Sequence, residues 1–303
     1  MRICVLGATG TIGRATVAAL VRRGHDVVCL VRSRTGKERE FRRDGARGGC
    51  HRSSLAGARR VCGRPVQCIG VLPRLAHLNA LGVAQAVGIG HFVLLSTICL
   101  QKPLLGLQHA KLAFEAALIA CGMRYSIVRP TAFFKSLSGQ IERVRKGQPF
   151  LVFGDGALTA CKPISDGDLA NYLADCLEDE RMWNRVLPIG GPGELITPCQ
   201  QGEALFAMLG RPPKFRSAPV RLLDVIAGVL GALGRVVPAL AAKAELARIG
   251  RYYATESMLV RNPATGRYDA AATPSTGTET LFDYYRAVLA GEAAPERGDH
   301  AVF

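Results

Sequence analysis

Gly7-Ala8-Thr9-Gly10-Thr11-Ile12-Gly13 sets three glycines at G-x-x-G-x-x-G spacing directly after the apolar run Ile3 to Leu6. Such a loop between a strand and a helix suits a pyrophosphate. The first glycine permits the tight turn, the second lets backbone approach the phosphates, and the third lets the helix pack close to the sheet. The helix start adds free N–H donors and the positive end of the helix dipole. Gly7, Thr9, Gly10, Thr11, Ile12 and Gly13 are therefore candidate dinucleotide contacts. Arg32 ends the second apolar run, where an NAD-specific site carries an acid for the ribose 2′-hydroxyl. A cation there suits the 2′-phosphate of NADPH, which is the cofactor expected, with no metal.

A second group follows the run His91 to Ser96. Ser96, Thr97 and Lys102 fall after its end, and Lys111 stands near the start of the next helical segment. Short-chain dehydrogenases carry Y-x-x-x-K at this place, the Lys on the nicotinamide ribose and the Tyr as proton donor. Here Leu107 holds the tyrosine position. Lys111 can still hold a ribose, so it is the candidate catalytic residue, while carbonyl chemistry loses its usual acid. The proton source is left between water and Tyr125. In Arg129-Pro130-Thr131-Ala132-Phe133-Phe134-Lys135, two aromatics beside cations suit a flat anionic ligand. Phe133, Phe134 and Lys135 are the candidate substrate residues.

Residues Ile3–Leu6, Thr11–Arg23 and His25–Arg32 read as strand, helix and strand. Order returns with a helix over Ala76–Val87, a strand over His91–Ser96, a helix over Gln108–Ala120 and a strand over Tyr125–Val128. This alternation implies an α/β fold: a Rossmann-like, doubly wound parallel sheet covered on both faces. Residues 1–150 are expected to form the NADP-binding domain and 151–290 a smaller C-terminal α+β substrate-binding portion, with 291–303 as tail. In the second part, Phe150–Phe153, the turn Gly154-Asp155-Gly156 and Ala157–Ile164 read as a hairpin, and Val186–Ile189 as an edge strand. Thr197-Pro198-Cys199-Gln200 and Thr276-Gly277-Thr278-Glu279 read as capping boxes. Leu222–Leu246 is long and apolar, but Asp224, Arg235, Lys243, Glu245 and Pro238 interrupt it. Two short helices are expected there, packed in the core, covering an apolar ligand, or touching a membrane surface.

The formal charge of +15 is concentrated. Between Ser33 and Leu75 ten Arg and one Lys face Glu38, Glu40 and Asp44, a net +8. This stretch has no aromatic interleaving and no helical spacing, so a nucleic-acid partner is not expected. The ten cysteines form no C-x-x-C pair and read as reduced, buried thiols of a cytoplasmic protein. With a strand beginning at Met1 or Arg2, no signal peptide is expected.

The chain resembles the NADPH-dependent divinyl chlorophyllide a 8-vinyl reductases, an atypical, NmrA-like branch of the short-chain dehydrogenases found in photosynthetic bacteria. The stretches carrying the resemblance are "GATGTIGRATVAAL", "HFVLLSTICLQKPLLGLQHAKLAFEAAL", "YSIVRPTAFFKSLSGQ", "FLVFGDGALTACKPISDGDLA", "IGRYYATESMLV" and "TPSTGTETLFDYY". The resemblance implies reduction of the C8 vinyl group of a divinyl chlorophyllide to ethyl, in (bacterio)chlorophyll biosynthesis, in the cytoplasm or at the edge of the photosynthetic membrane. Leu107 agrees with a family that reduces no carbonyl. Residues 33–77 depart from the pattern. The family implies a third strand near a Gly-Asp pair and a fourth with a Ser-Cys-rich end; only Val66–Leu72 reads as a strand, and the interval is some thirty residues short at ordinary element lengths. A deletion with a shifted reading frame would produce such an Arg- and Gly-rich stretch and an impaired enzyme. The alternative function is a non-catalytic dinucleotide-binding regulator or assembly factor on the same fold.

Overall fold

The computed structural model describes residues 1–30, 50–53, 66–70, 77–86 and 88–293. Arg32, most of the 33–77 interval and residues 294–303 lie outside them. The elements, in order, are β1 (Arg2–Leu6), α1 (Thr11–Arg22), β2 (Asp26–Leu30), β3 (Cys50–Ser53), β4 (Val66–Gly70), α2 (His77–Ala86), β5 (His91–Leu95), α3 (Gly106–Ala120) and β6 (Arg124–Pro130). The short helices α4 (Phe134–Leu137) and α5 (Ile141–Arg145) lead to β7 (Phe150–Phe153). They are followed by α6 (Asp166–Glu178), β8 (Arg185–Ile189), α7 (Pro198–Met208), β9 (Phe215–Ala218), α8 (Arg221–Leu233), α9 (Pro238–Thr255), the two-residue strands β10 (Val260–Arg261) and β11 (Tyr268–Asp269), and α10 (Leu281–Ala290).

The described chain forms two units, and the division is not one cut at residue 150. The first unit is Met1–Pro130 with Asp166–Ile189; the second is Thr131–Ser165 with Gly190–Phe303. The chain leaves the first unit at the end of β6 and returns to it with α6, because β8 completes the sheet beside β6.

In the first unit seven strands run in the order β3-β2-β1-β4-β5-β6-β8, and every pair is parallel. This is the Rossmann-like sheet expected, with the order reversing at β1. Of its inner strands, β1 and β5 carry buried apolar runs, Ile3 to Leu6 and Phe92 to Leu94, because both faces are covered. One face packs Cys4, Leu6, Cys68 and Phe92 against Leu81 of α2 and Phe114 and Leu118 of α3. Elsewhere in the unit α1 packs on α6, with Arg23 paired to Asp175 and Glu178. The third strand is a correction: Cys50–Ser53 pairs with Val27–Leu30 although it has no apolar alternation. Backbone pairing suffices for a short edge strand. The fourth strand, Val66–Gly70, falls where the apolar run lies, and β8 is an edge strand as expected.

The second unit is α+β. Its core joins Phe134, Ile141, Phe150, Val152, Leu205, Phe206, Leu281 and Tyr285. The expected hairpin at Phe150 does not form. β7 pairs in parallel with β9, sixty-odd residues on, while Cys161 bridges to Ile196 and Met258. The Thr197 capping box is present, with Thr197 and Gln200 bonding reciprocally. The last helix instead starts at Thr280, whose Oγ1 accepts from the Asp283 N–H; the Thr276 box does not cap it. The long apolar stretch is two helices, broken before Pro238.

Candidate functional site

The registers bring the C-terminal ends of the strands to one edge of the first unit's sheet. Leu6 at the end of β1 stands beside Leu30 of β2 and Gly70 of β4, and Leu94 of β5 stands beside Gly70. The C-terminal ends of β1, β4, β5 and β6 therefore lie together along one edge of the sheet, where such sheets hold ligands.

The loop after β1 has distinct requirements at each glycine. Gly7 adopts φ +79°, the left-handed region. A methyl group on Gly13 would lie 2.1 Å from the Gly7 carbonyl oxygen and 2.9 Å from Ala8 Cα, so the loop closes against α1 only with glycine there. Gly10 differs. Among the described residues a methyl group on it would meet only the Gly7 carbonyl oxygen at 3.4 Å, and its φ of −76° and ψ of 167° suit any residue. The packing of the described residues does not require glycine at Gly10, and none of them fills the space above it. The Gly10 N–H donates to Gly7 O at 3.0 Å, and α1 begins at Thr11 with no acidic residue in its first turn. The first N–H groups of a helix have no partner within it. Thr9 and Gly10 are exposed and Thr11 is half-buried. The Ile12 side chain is buried in the core, so only its backbone N–H serves an anion. This cradle fits the pyrophosphate of a nicotinamide dinucleotide.

Ser96 follows β5, and its N–H donates to the Val128 carbonyl at 2.7 Å. Its hydroxyl donates to Glu115 Oε1 at 2.5 Å. Glu115, 3% exposed, also receives Arg129: Nε donates to Oε1 at 3.2 Å, and a terminal nitrogen pairs with Oε2. Glu115 is thus a buried carboxylate satisfied by a guanidinium fork and a hydroxyl, which is what a buried charge needs. The triad ties the ends of β5 and β6 to α3. Lys111 lies one helical turn before Glu115, hence on the same face of α3, and is half-buried. The start of α3 is fixed by Gln108, whose side-chain oxygen accepts from the N–H groups of Leu104 (2.6 Å) and Leu105 (2.9 Å). Glu115 and Arg129 were not among the sequence candidates. An acid four residues after Lys111, between the core positions Phe114 and Leu118, was the available signal. His109 is exposed.

Two expectations change. Tyr125 sits near the N-terminal end of β6, about four residues or roughly 13 Å from Arg129 along the strand, at the wrong edge to supply a proton. Phe134 is buried and its ring lies 5.7 Å from that of Tyr284, so it belongs to the core of the second unit. Phe133 is half-buried, with Lys135 Nζ 5.8 Å from its ring centroid. At the N-terminal edge of the first unit, buried His91 bonds Ser126 at 3.0 Å and stacks edge-on to Trp183. Burial, reinforced by Arg124, pushes its pKa down to about 4.

Residues 3–61 match the model of the NAD dependent epimerase/dehydratase family. A chloroplastic divinyl chlorophyllide a 8-vinyl-reductase of Oryza sativa subsp. indica is 45% identical over 331 aligned positions, covering 99% of this chain and 82% of that one. The chain belongs to the divinyl chlorophyllide a 8-vinyl-reductase family. Since 99% of this chain is about 300 residues, roughly thirty of those positions have no residue of this chain opposite them. The reductase fold is shared by an isoflavone reductase (TM-score 0.72, 15% identity, covering 95% of this chain and 99% of that one). It is shared equally by the Escherichia coli NADPH-dependent quinone oxidoreductase QOR2, solved with NADPH (TM-score 0.70, 17% identity, 95% and 99% covered). No helix among the described residues of this reductase-family chain is long and apolar enough to cross a membrane.

Proposed function

We propose that this chain reduces the C8 vinyl group of divinyl chlorophyllide to ethyl in chlorophyll biosynthesis, with NADPH as reductant. Near-full-length identity of 45% to a reductase of that name carries the reading. NADPH, when bound, supplies the hydride. A vinyl group conjugated to a chlorin accepts hydride at its terminal carbon, because the macrocycle delocalises the resulting charge; a proton then completes the ethyl group. The protein's contribution is mainly positioning and exclusion of water. The Gly7–Gly13 loop and the start of α1 bind the pyrophosphate. Arg32, outside the described residues, takes the 2′-phosphate. Lys111 holds the nicotinamide ribose, and the Ser96–Glu115–Arg129 triad fixes the strand ends on which this edge depends. Phe133 contacts the macrocycle and Lys135 its carboxylate. With Tyr125 at the other edge, water supplies the proton. Cys4, Cys29, Cys68, Cys99, Cys121, Cys161, Cys176 and Cys199 are free thiols, which supports a reducing, cytoplasmic setting. The length difference and the Arg- and Gly-rich composition of residues 33–77 support a deletion with a shifted reading frame there; an intact single frame in the coding DNA of several isolates would remove the frame shift.

The test adds NADPH and divinyl chlorophyllide to purified protein. A blue shift of the Soret band is expected, and 4-deuterated NADPH should leave one deuterium in the new ethyl group. Arg32→Glu should raise the KM for NADPH more than that for NADH. Cofactor binding without any band shift would overturn the enzyme reading in favour of a non-catalytic dinucleotide-binding protein.

A further inference from the structure

In the second unit, α8 and α9 form a helical hairpin whose apolar side chains are distributed the wrong way round for a purely structural element. An amphipathic helix of a soluble unit normally turns its larger apolar residues inward. On α8 the larger ones point out: Leu222, Val225, Ile226, Val229 and Leu233 are all exposed. They recur at i, i+3, i+4, i+7 and i+11, which is one continuous stripe at 3.6 residues per turn. The inward sector carries Leu223 and small residues. Ala227 is buried, a methyl group on Gly231 would reach Ala244 of α9 at 4.0 Å, and one on Gly234 would meet the Ala241 backbone at 2.7 Å. Small residues thus bring α8 and α9 close together and leave the bulk outside. The stripe continues onto the connection between the helices, where Val236 is 84% exposed.

Charge on the hairpin has one sign where it is not neutralised. Asp224 pairs with Arg251, and Glu245 with Arg248. Arg221, Arg235 and Lys243 are exposed and take part in no ion pair among the described residues. The apolar stripe is therefore bordered by uncompensated cations at the start of α8, at the connection, and on α9. A second copy of the chain docked on this face would bring those cations against their own kind. An anionic lipid surface complements both features, since headgroups neutralise the cations while the stripe enters the acyl boundary. Neither helix is long and apolar enough to cross, so the contact is with one leaflet.

We propose that the exposed α8–α9 stripe, bordered by Arg221, Arg235 and Lys243, is a docking surface for an anionic membrane. It would hold the protein where amphiphilic tetrapyrroles partition, though the inference rests on the hairpin alone and not on the catalytic reading.

The test is flotation of the full-length protein with vesicles of phosphatidylcholine alone and of phosphatidylcholine mixed equally with phosphatidylglycerol. Binding to the mixed vesicles only, weakening as salt rises, is expected. The double variants Val229→Glu with Val236→Glu, and Arg235→Glu with Lys243→Glu, change exposed side chains and should keep the wild-type melting temperature. Each should bind the mixed vesicles at least about tenfold more weakly. Absence of flotation, or undiminished binding by the valine variant, would overturn the proposal. A wild-type dimer that the valine variant converts to monomer would assign the stripe to a second copy instead. Loss of turnover by that variant on detergent-dispersed substrate would assign it to the substrate.

Discussion

Alanine at Gly10 and alanine at Gly13 should separate the two reasons for glycine in one loop. At Gly13 the new methyl group would start 2.1 Å from a backbone carbonyl oxygen and 2.9 Å from two further backbone atoms. No flexible side chain can yield, so the loop and α1 must part by about 1 Å. Overpacking of this kind costs about 1–3 kcal/mol, and for a chain of this size each 1 kcal/mol lowers Tm by roughly 2–4 °C. A drop of about 2–12 °C follows. At Gly10 the methyl group meets one atom at ordinary contact distance and the backbone is already extended. Stability should hold, or rise by about 0.4–1 kcal/mol as the unfolded chain loses freedom. Dinucleotide binding should suffer, because the methyl group occupies the approach to the phosphates. Loss of one charge-assisted hydrogen bond, about 1.5–3 kcal/mol, corresponds to roughly 10- to 100-fold in Kd. Thermal melting and a fluorescence titration with NADPH measure both quantities. A Gly10→Ala protein that binds NADPH like wild type would refute the placement of the pyrophosphate. A Gly13→Ala protein with unchanged Tm would refute the packing argument.

Lys111→Ala should lose most turnover with the melting temperature unchanged; full activity in that variant would remove Lys111 from the ribose. Glu115→Gln leaves Arg129 without its counter-charge and should cost about 3–5 kcal/mol in chemical denaturation, whereas a change under about 1 kcal/mol would mean the pair is already solvated. His91 is neutral in the fold with its pKa lowered to about 4, so its contribution is complete above the unfolded value of about 6.5 and is lost as pH falls from there towards 4. The loss amounts to about 3 kcal/mol. Urea unfolding between pH 7.5 and 4.5 should show it, and His91→Phe should flatten that slope.

The chemistry-bearing first unit was largely legible because its signals are local. The glycine spacing and the apolar runs Ile3–Leu6 and His91–Leu95 each specify structure within a few residues, as the break before Pro238 does in the second unit. What stayed hidden depends on partners far along the chain. Nothing in Phe150–Phe153 announces that its partner is Phe215–Ala218, and the Gly154-Asp155-Gly156 turn after it imitates a hairpin. Cys50–Ser53 is a strand by backbone pairing alone. Phe134 next to Phe133 looked like a pair of equivalent aromatics, yet the chain enters a helix between them and turns one ring inward. Glu115 was masked by its apolar neighbours. Its role appears only when Ser96 and Arg129, from two other elements, converge on it.

The return of the chain to its first unit through α6 and β8 has a consequence for synthesis. Helix α1 ends at Arg22, but the helix it packs against, α6, ends at Glu178. At about 5–20 residues per second, α1 waits roughly 8–30 s for that partner, and β6, which ends at Pro130, waits roughly 3–12 s for its outer neighbour β8, which ends at Ile189. The intervening segment that belongs to the second unit must leave the ribosome before the first can close. Final consolidation of the nucleotide-binding half is therefore a late event in translation, and a ribosome stalled between Pro130 and Glu178 displays an apolar helix face and a raw sheet edge, the substrates that chaperones hold.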